Sequence, residues 1–266
     1  MKINRNKRLA LGAALLVTGA AAVVGGQAWA DGASSSAGGA QDCDKKPSEI
    51  LDLANWYLTL PTGDEGHPDT VEQPDLDGFT ADPYFTANAD CDAVQFQAPV
   101  NGVTTENSKY PRSELREMDG SDEASWSSSE GTHTLVVEEA FTHLPEPGDD
   151  DRDIVVGAQI HGSDDDVTVF RLEGDQLWST DEDEPHGTLL DEHYTLGTKF
   201  EAKFVVEDGK THVFYNGEEK ATLSKDYDGA YFKTGAYTQA NCDNSDPCDE
   251  SNFGQVEIYS AKVTHE

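Results

Sequence analysis

From Trp56 to Val263 the chain is a train of short stretches suited to extended backbone, each cut off by a turn signal. Trp56 to Leu60 stops at Pro61, and Ala93 to Ala98 stops at Pro99. Thr132 to Glu138, Asp153 to Ile160, Val167 to Leu172, Lys199 to Glu207, Lys210 to Tyr215, Gly229 to Gln239 and Gly254 to Val263 read the same way. Glu207-Asp208-Gly209-Lys210 and Tyr215-Asn216-Gly217-Glu218 are hairpin turns, because Asp-Gly and Asn-Gly accept the positive φ such turns need. Helix is expected only around Ser48 to Leu53 and in a few short pieces. So many strands of regular spacing predict an all-β jelly-roll sandwich of two antiparallel sheets, one of them curved into a concave groove.

The first residues do not belong to that pattern. Lys2, Arg5, Lys7 and Arg8 precede an apolar run from Leu9 to Val24, and Ala28-Trp29-Ala30 follows as a small-x-small cleavage site. This reads as a secretory signal peptide over residues 1–30. The run is too short and too rich in Ala and Gly for a membrane anchor. A Gly/Ala/Ser-rich linker is expected over 31–42 and a single domain over 43–266. The product is expected to be secreted, extracellular and monomeric.

Charge narrows the partners. The chain carries 18 Lys+Arg against 52 Asp+Glu, a net charge of -34. Loss of residues 1–30 removes four basic groups and no acidic ones, leaving -38. Such a surface repels nucleic acid and anionic membrane, so neither is expected as a partner. It also fits work in salt-rich surroundings, where screening weakens self-repulsion. The four cysteines, Cys43, Cys91, Cys242 and Cys248, form an even count in a chain read as secreted, which points to two disulfides. Cys242 and Cys248 close a short loop and are paired, leaving Cys43 with Cys91. Zinc spacing is lacking. The acidic runs Asp149-Asp150-Asp151, Asp164-Asp165-Asp166 and Asp181-Glu182-Asp183-Glu184 do not fit an EF-hand and read as solvated loops. No metal and no cofactor is expected.

Three strand segments stand out against this acidic background. Side chains alternate along a strand, so Arg112, Glu114 and Arg116 share one face. So do Gln159 and His161, and so do Tyr231, Lys233, Gly235, Tyr237 and Gln239. These are neutral or basic hydrogen-bonding residues, where the ordinary surface is Asp and Glu. Gly235 in mid-strand implies a close approach to the sheet. Glu114, flanked by arginines, reads as the ion-pair partner that holds them in place.

Tyr110-Pro111-Arg112-Ser113-Glu114-Leu115-Arg116-Glu117, Gln159-Ile160-His161 and Tyr231-Phe232-Lys233-Thr234-Gly235-Ala236-Tyr237-Thr238-Gln239, in this order, resemble the three signature motifs of the polysaccharide lyase family 7 alginate lyases. Asn55 to Pro61 is similar to that family's opening strand. Thr234 stands where the family has alanine, and should point away from the groove. The resemblance implies a β-jelly roll whose groove binds alginate, cleaved endo-fashion by β-elimination. It implies Arg112, Gln159, His161 and Tyr237 as the catalytic set, with Arg116, Lys233 and Gln239 on flanking sugars. Arg112 and Gln159 neutralise the uronate carboxylate next to the weakly acidic C5 proton. His161 helps there or acts as base toward guluronate; Tyr237 protonates the leaving O4 and is the base toward mannuronate. As a base Tyr237 would need Arg112 or Lys233 to lower its pKa. Isoleucine at Ile160 is associated, by the resemblance, with guluronate-containing blocks.

A non-catalytic carbohydrate-binding module on the same sandwich is the competing reading, but it needs no Tyr/His pair beside an arginine. A glycoside hydrolase needs two carboxylates flanking the bond. Glu114 and Glu117 lie on opposite faces of one strand and cannot supply them.

Overall fold

The computed structural model describes residues 43–148, 153–182 and 184–266. The expected signal peptide, the expected linker and the run Asp149-Asp150-Asp151 lie outside the described residues. In chain order the strands are β1 (Trp56–Asp64), β2 (His67–Val71), β3 (Phe85–Ala87), β4 (Val94–Pro99), β5 (Arg112–Asp119) and β6 (Asp122–Glu123). Then come β7 (Thr132–His143), β8 (Ile154–His161), β9 (Asp166–Glu173), β10 (Gln176–Asp181) and β11 (Glu184–Asp191). The last are β12 (Phe200–Glu207), β13 (Lys210–Tyr215), β14 (Glu218–Ser224), β15 (Tyr231–Thr238) and β16 (Phe253–His265).

They form two antiparallel sheets. The first runs β11-β10-β9-β8-β15-β5-β1-β2, with β6 added beside β5; the second runs β14-β13-β12-β7-β16-β4-β3. Strands distant in sequence lie side by side, which is the jelly-roll arrangement expected. Between the sheets, Phe96, Phe141, Phe170, Phe200, Phe204 and Phe232 are fully buried. Each contributes roughly 2–3 kcal/mol by leaving water. This core backs the first sheet and leaves its other face free to carry chemistry.

The hairpin turns form as the Asp-Gly and Asn-Gly pairs require: Asp208, Gly209, Asn216 and Gly217 all have positive φ. Two expectations differ. Pro61 does not end the first strand; β1 runs on to Asp64 because its register shifts between Thr59 and Gly63, which places Pro61 where no ladder bond is needed. Ser48 to Leu53 gives only a 3-10 turn at Pro47–Glu49. Strands β2, β3, β10, β11 and β14 add to the expected stretches; β2, β11 and β14 are polar and partly exposed with no clear alternation, and β3 has only three residues. Asp181 and Glu184 accordingly end one strand and open the next. Cys43–Cys91 and Cys242–Cys248 are bonded as expected, with Cα atoms 5.4 and 4.9 Å apart. The first closes a loop of sequence separation 48, a constraint on the order of 4 kcal/mol by chain entropy.

Candidate active site

Strands β5, β15 and β8 lie side by side and carry the three motifs. Lys233 pairs with Arg116 on one side and Gln159 on the other. Tyr237 pairs with Arg112, Gly235 with Glu114, and Tyr231 with His161. The period of two therefore turns Arg112, Glu114, Arg116, Tyr231, Lys233 and Tyr237 to one face, while Leu115, Phe232 and Ala236 enter the core. Thr234 also points inward, fully buried, as expected for the position where it replaces alanine. Ile160 is likewise in the core, away from His161.

The cleft so formed has a volume of about 590 Å³ and is lined by Arg112, Arg116, Gln159, His161, Lys233 and Tyr237. Tyr57 and Thr59 of β1, Ser108, Tyr231 and Asp164 to Asp166 are among the other residues of its walls. Gln239 is not among the lining residues. It sits past the end of β15, where its backbone N–H bonds the Ile154 carbonyl.

Glu114 is the hub. Its side chain is 1 % exposed. One carboxylate oxygen takes Arg112 Nη1 at 3.3 Å and the Lys233 ammonium; the other takes the Gln159 amide. A charge this deep is tolerable only when paired on all sides. The expectation that Glu114 holds both arginines needs correction. Arg116 pairs instead with Glu123 of β6, and its guanidinium lies 3.9 Å from the centre of the Tyr231 ring. Gly235 makes the packing possible. At its φ of +149° a Cβ would meet the Ser113 carbonyl at 2.4 Å and Glu114 Cα at 2.7 Å.

Burial governs the titrations. Lys233 is brought down to about 8, first by burial and then by Arg112, against the pull of Glu114. His161 is held below its ordinary value by burial, with Lys233 adding to the effect. Its Nδ1 lies 2.6 Å from the Gly162 carbonyl, which cannot donate. The ring proton therefore sits on Nδ1 and leaves Nε2 as the free acceptor. Tyr231 stacks on that ring, 5.1 Å between centres and 12° from parallel. Tyr237 is set by opposing effects. Arg112 lies 4.2 Å from its ring centre and Ser108 Oγ 3.2 Å from its hydroxyl, and both favour the phenolate. Burial outweighs them and raises the pKa, so the resting side chain is a neutral phenol. Asp166, on the wall, is pushed up to about 6 by burial and by Asp165.

Tyr231, Ser108 and Asp166 also line the cleft, and of these only Ser108 carries no sign in the sequence. Alternation from Tyr237 and Lys233 already placed Tyr231 on the right face. Ser108 lies in a loop with no periodic signal.

Residues 51–265 match the family model for alginate lyase. AlgAT5, an alginate lyase of polysaccharide lyase family 7, is 47% identical over 84% of this chain and 99% of its own, with a TM-score of 0.77. The chain belongs to this family. The alginate lyase from Corynebacterium sp. is 55% identical over 83% of this chain and 98% of its own, with a TM-score of 0.80. A family 7 alginate lyase, A1-II', solved with one histidine and one tyrosine substituted and in complex with the substrate GGMG, is 28% identical. That likeness covers 83% of this chain and 97% of the other, with a TM-score of 0.68. The match to an alginate lyase of Klebsiella pneumoniae spans 76 residues at 34% identity, 27% of this chain and 24% of that protein. The chain is thus a polysaccharide lyase with the family's jelly roll.

Proposed function

We propose that this alginate lyase is a secreted, endo-acting enzyme that cleaves 4-linked uronate polymer by β-elimination, with a preference for guluronate-containing blocks. The observation that carries the reading is the state of His161 and Tyr237 in one cleft: a neutral imidazole with Nε2 free, and a neutral phenol.

In the proposed step, His161 Nε2 takes the C5 proton. The electron pair forms the C4–C5 double bond, the C4–O4 bond breaks, and the Tyr237 hydroxyl gives its proton to O4. One saturated chain becomes an unsaturated uronate end and a new hydroxyl end. Arg112 and the remaining N–H of the Gln159 amide bind the carboxylate on C5 and stabilise the enolate-like charge. Glu114 holds both donors in place. Arg116 and Lys233 bind neighbouring uronates. Gln239, outside the cleft lining, is a contact for a sugar beyond its end. A neutral Tyr237 suits the acid role directly, and mannuronate turnover requires it to ionise against its burial.

The GGMG complex of A1-II' supports a substrate of several sugars running across the cleft. Ile160 is the residue that favours guluronate-containing blocks in the resemblance. A basic start, an apolar run and Ala28-Trp29-Ala30 support export, as do two disulfides, which persist in oxidising compartments. We place the signal peptide at 1–30, the linker at 31–42 and the catalytic domain at 43–266, acting as a monomer. The test is incubation with polyguluronate and polymannuronate separately, following ultraviolet absorbance and viscosity. Rapid loss of viscosity with a faster absorbance rise on polyguluronate is expected. No absorbance on either polymer overturns the reaction, and slow viscosity loss at full absorbance overturns the endo mode.

A further inference from the structure

Behind the cleft strands, on the opposite face of β5, lies a second cluster that the reaction does not use. Glu117 follows Arg116 and points inward, 2 % exposed. Its Oε2 accepts two N–H groups, Trp126 Nε1 at 3.1 Å and the Phe232 backbone at 2.9 Å. Its Oε1 lies 2.5 Å from His265 Nε2. His265 Nδ1 lies 2.7 Å from His133 Nδ1, and His133 Nε2 lies 2.8 Å from the Glu130 carbonyl and 3.1 Å from that of Ser127. His133 and His265 are cross-strand partners of β7 and β16. Trp126 covers His133, 4.3 Å between ring centres and 17° from parallel.

The protons on this chain can be counted. Carbonyls only accept, so His133 Nε2 carries a proton. One proton must lie between the two Nδ1 atoms, whichever ring owns it. One more must lie between His265 Nε2 and Glu117. Oε2 already accepts two N–H bonds, an arrangement that favours the ionised carboxylate. The third proton then belongs to the rings, so the two imidazoles hold three protons and one positive charge beside Glu117. The cluster as a whole is neutral, as an inward-facing group should be. Among the described residues the only other charged side chain lining the same cavity, of about 470 Å³, is Asp119, which is exposed.

Position gives this chain its consequence. The β5–β15 ladder runs from Tyr237 opposite Arg112 to Lys233 opposite Arg116. At the next step the Glu117 side chain accepts the Phe232 N–H. Phe232 lies between Tyr231 and Lys233, and Glu117 adjoins Arg116. One carboxylate thus fixes, from behind, the end of the two strands that presents Arg116, Tyr231 and Lys233. Arg112 and Tyr237 lie at the other end of the same ladder.

We propose that Glu117, His265 and His133 form a positioning chain for the Arg116–Lys233 end of the cleft, in which the two imidazoles share three protons and balance the Glu117 carboxylate. The kinetic side of this rests on Arg116 and Lys233 as sugar-binding groups; the proton count does not.

Isotope-edited NMR of the histidine ring nitrogens at neutral pH tests the count. One imidazolium signature over the His133/His265 pair is expected, and it should vanish in Glu117→Gln, whose amide can donate to His265 Nε2 and leave two neutral rings with every bond intact. Two neutral rings in the wild type overturn the proposal. In steady-state kinetics Glu117→Ala should raise KM about tenfold, the order of one lost buried hydrogen bond, with kcat within about twofold; Glu117→Gln should restore KM. A lower Tm with unchanged KM in Glu117→Ala means a merely structural role and overturns it. Should Glu117→Ala fail to fold, His265→Ala, at the exposed end of the chain, carries the same expectation, and an unchanged KM there has the same meaning. An unchanged KM in Arg116→Ala refutes the sugar-binding reading alone, and the ring spectrum still decides the proton count.

Discussion

The Arg112 guanidinium lies 4.2 Å from the centre of the Tyr237 ring, yet Tyr237 keeps its proton. A cation beside a phenol favours the phenolate, but burial disfavours it more strongly here. The pair is therefore set for donation. Tyr237→Phe removes the donor and leaves the packing against Tyr110, 6.3 Å between ring centres, in place. Turnover should fall between about a hundredfold and ten-thousandfold, the range of a lost general acid, with Tm unchanged. Near-wild-type rates would remove Tyr237 from the mechanism.

If the proposed reaction holds, the pH profile of kcat/KM should be bounded by His161 and Lys233. His161 must be neutral to accept a proton, and its pKa lies below the ordinary value of about 6.5, so the acid limb should fall below that pH. Lys233 must be charged to bind a uronate, and it titrates at about 8, so binding should weaken as pH rises through that point. Lys233→Arg, which stays charged, should move the alkaline limb upward. An alkaline limb unmoved in that variant would clear Lys233 of the role.

Glu139 is a buried acid in β7 with one weak donor, Ala158 N–H at 3.4 Å, and its Oε2 has no partner among the described residues. Burial pushes it up to about 8. The folded state therefore keeps a proton that the unfolded chain releases near about 4.3, so stability should decline as pH rises from there toward about 8. Glu139→Gln should flatten that decline and be more stable at about pH 8 by at least about 1 kcal/mol. Denaturant unfolding of both proteins across this range decides the matter; parallel curves would mean that Glu139 is ionised in the fold.

The Thr234 hydroxyl is buried in the core without a hydrogen-bond partner among the described residues. Thr234→Val keeps the shape and removes the stranded polar group. It should stabilise by about 1 kcal/mol, or about 2–4 °C in Tm, with activity unchanged. A lower Tm would show that the hydroxyl is satisfied in solution.

A polyanionic substrate must approach a chain of net charge -34 to reach a cleft lined by Arg112, Arg116 and Lys233. Screening weakens the long-range repulsion more than contacts inside the cleft. kcat/KM should thus rise several-fold, at most on the order of tenfold, from low to moderate ionic strength. A monotonic fall over that range would show that the local cations dominate the encounter.

Residue order alone determined the sandwich, the hairpins at Asp208-Gly209 and Asn216-Gly217, and the face shared by Arg112, Glu114 and Arg116. These follow from a period of two and from local backbone preference, both of which act over a few residues. Which strands become neighbours is decided by burying two faces against one core, and that is a property of the whole chain. The tertiary structure therefore set Lys233 between Arg116 and Gln159, gave Arg116 to Glu123 rather than Glu114, and left Gln239 outside the cleft lining. It also decided the protonation of Tyr237, because the balance between Arg112 and burial depends on how deep the ring lies. The polar strands β2, β11 and β14 stayed illegible for the same reason: their partners, not their own residues, hold them extended.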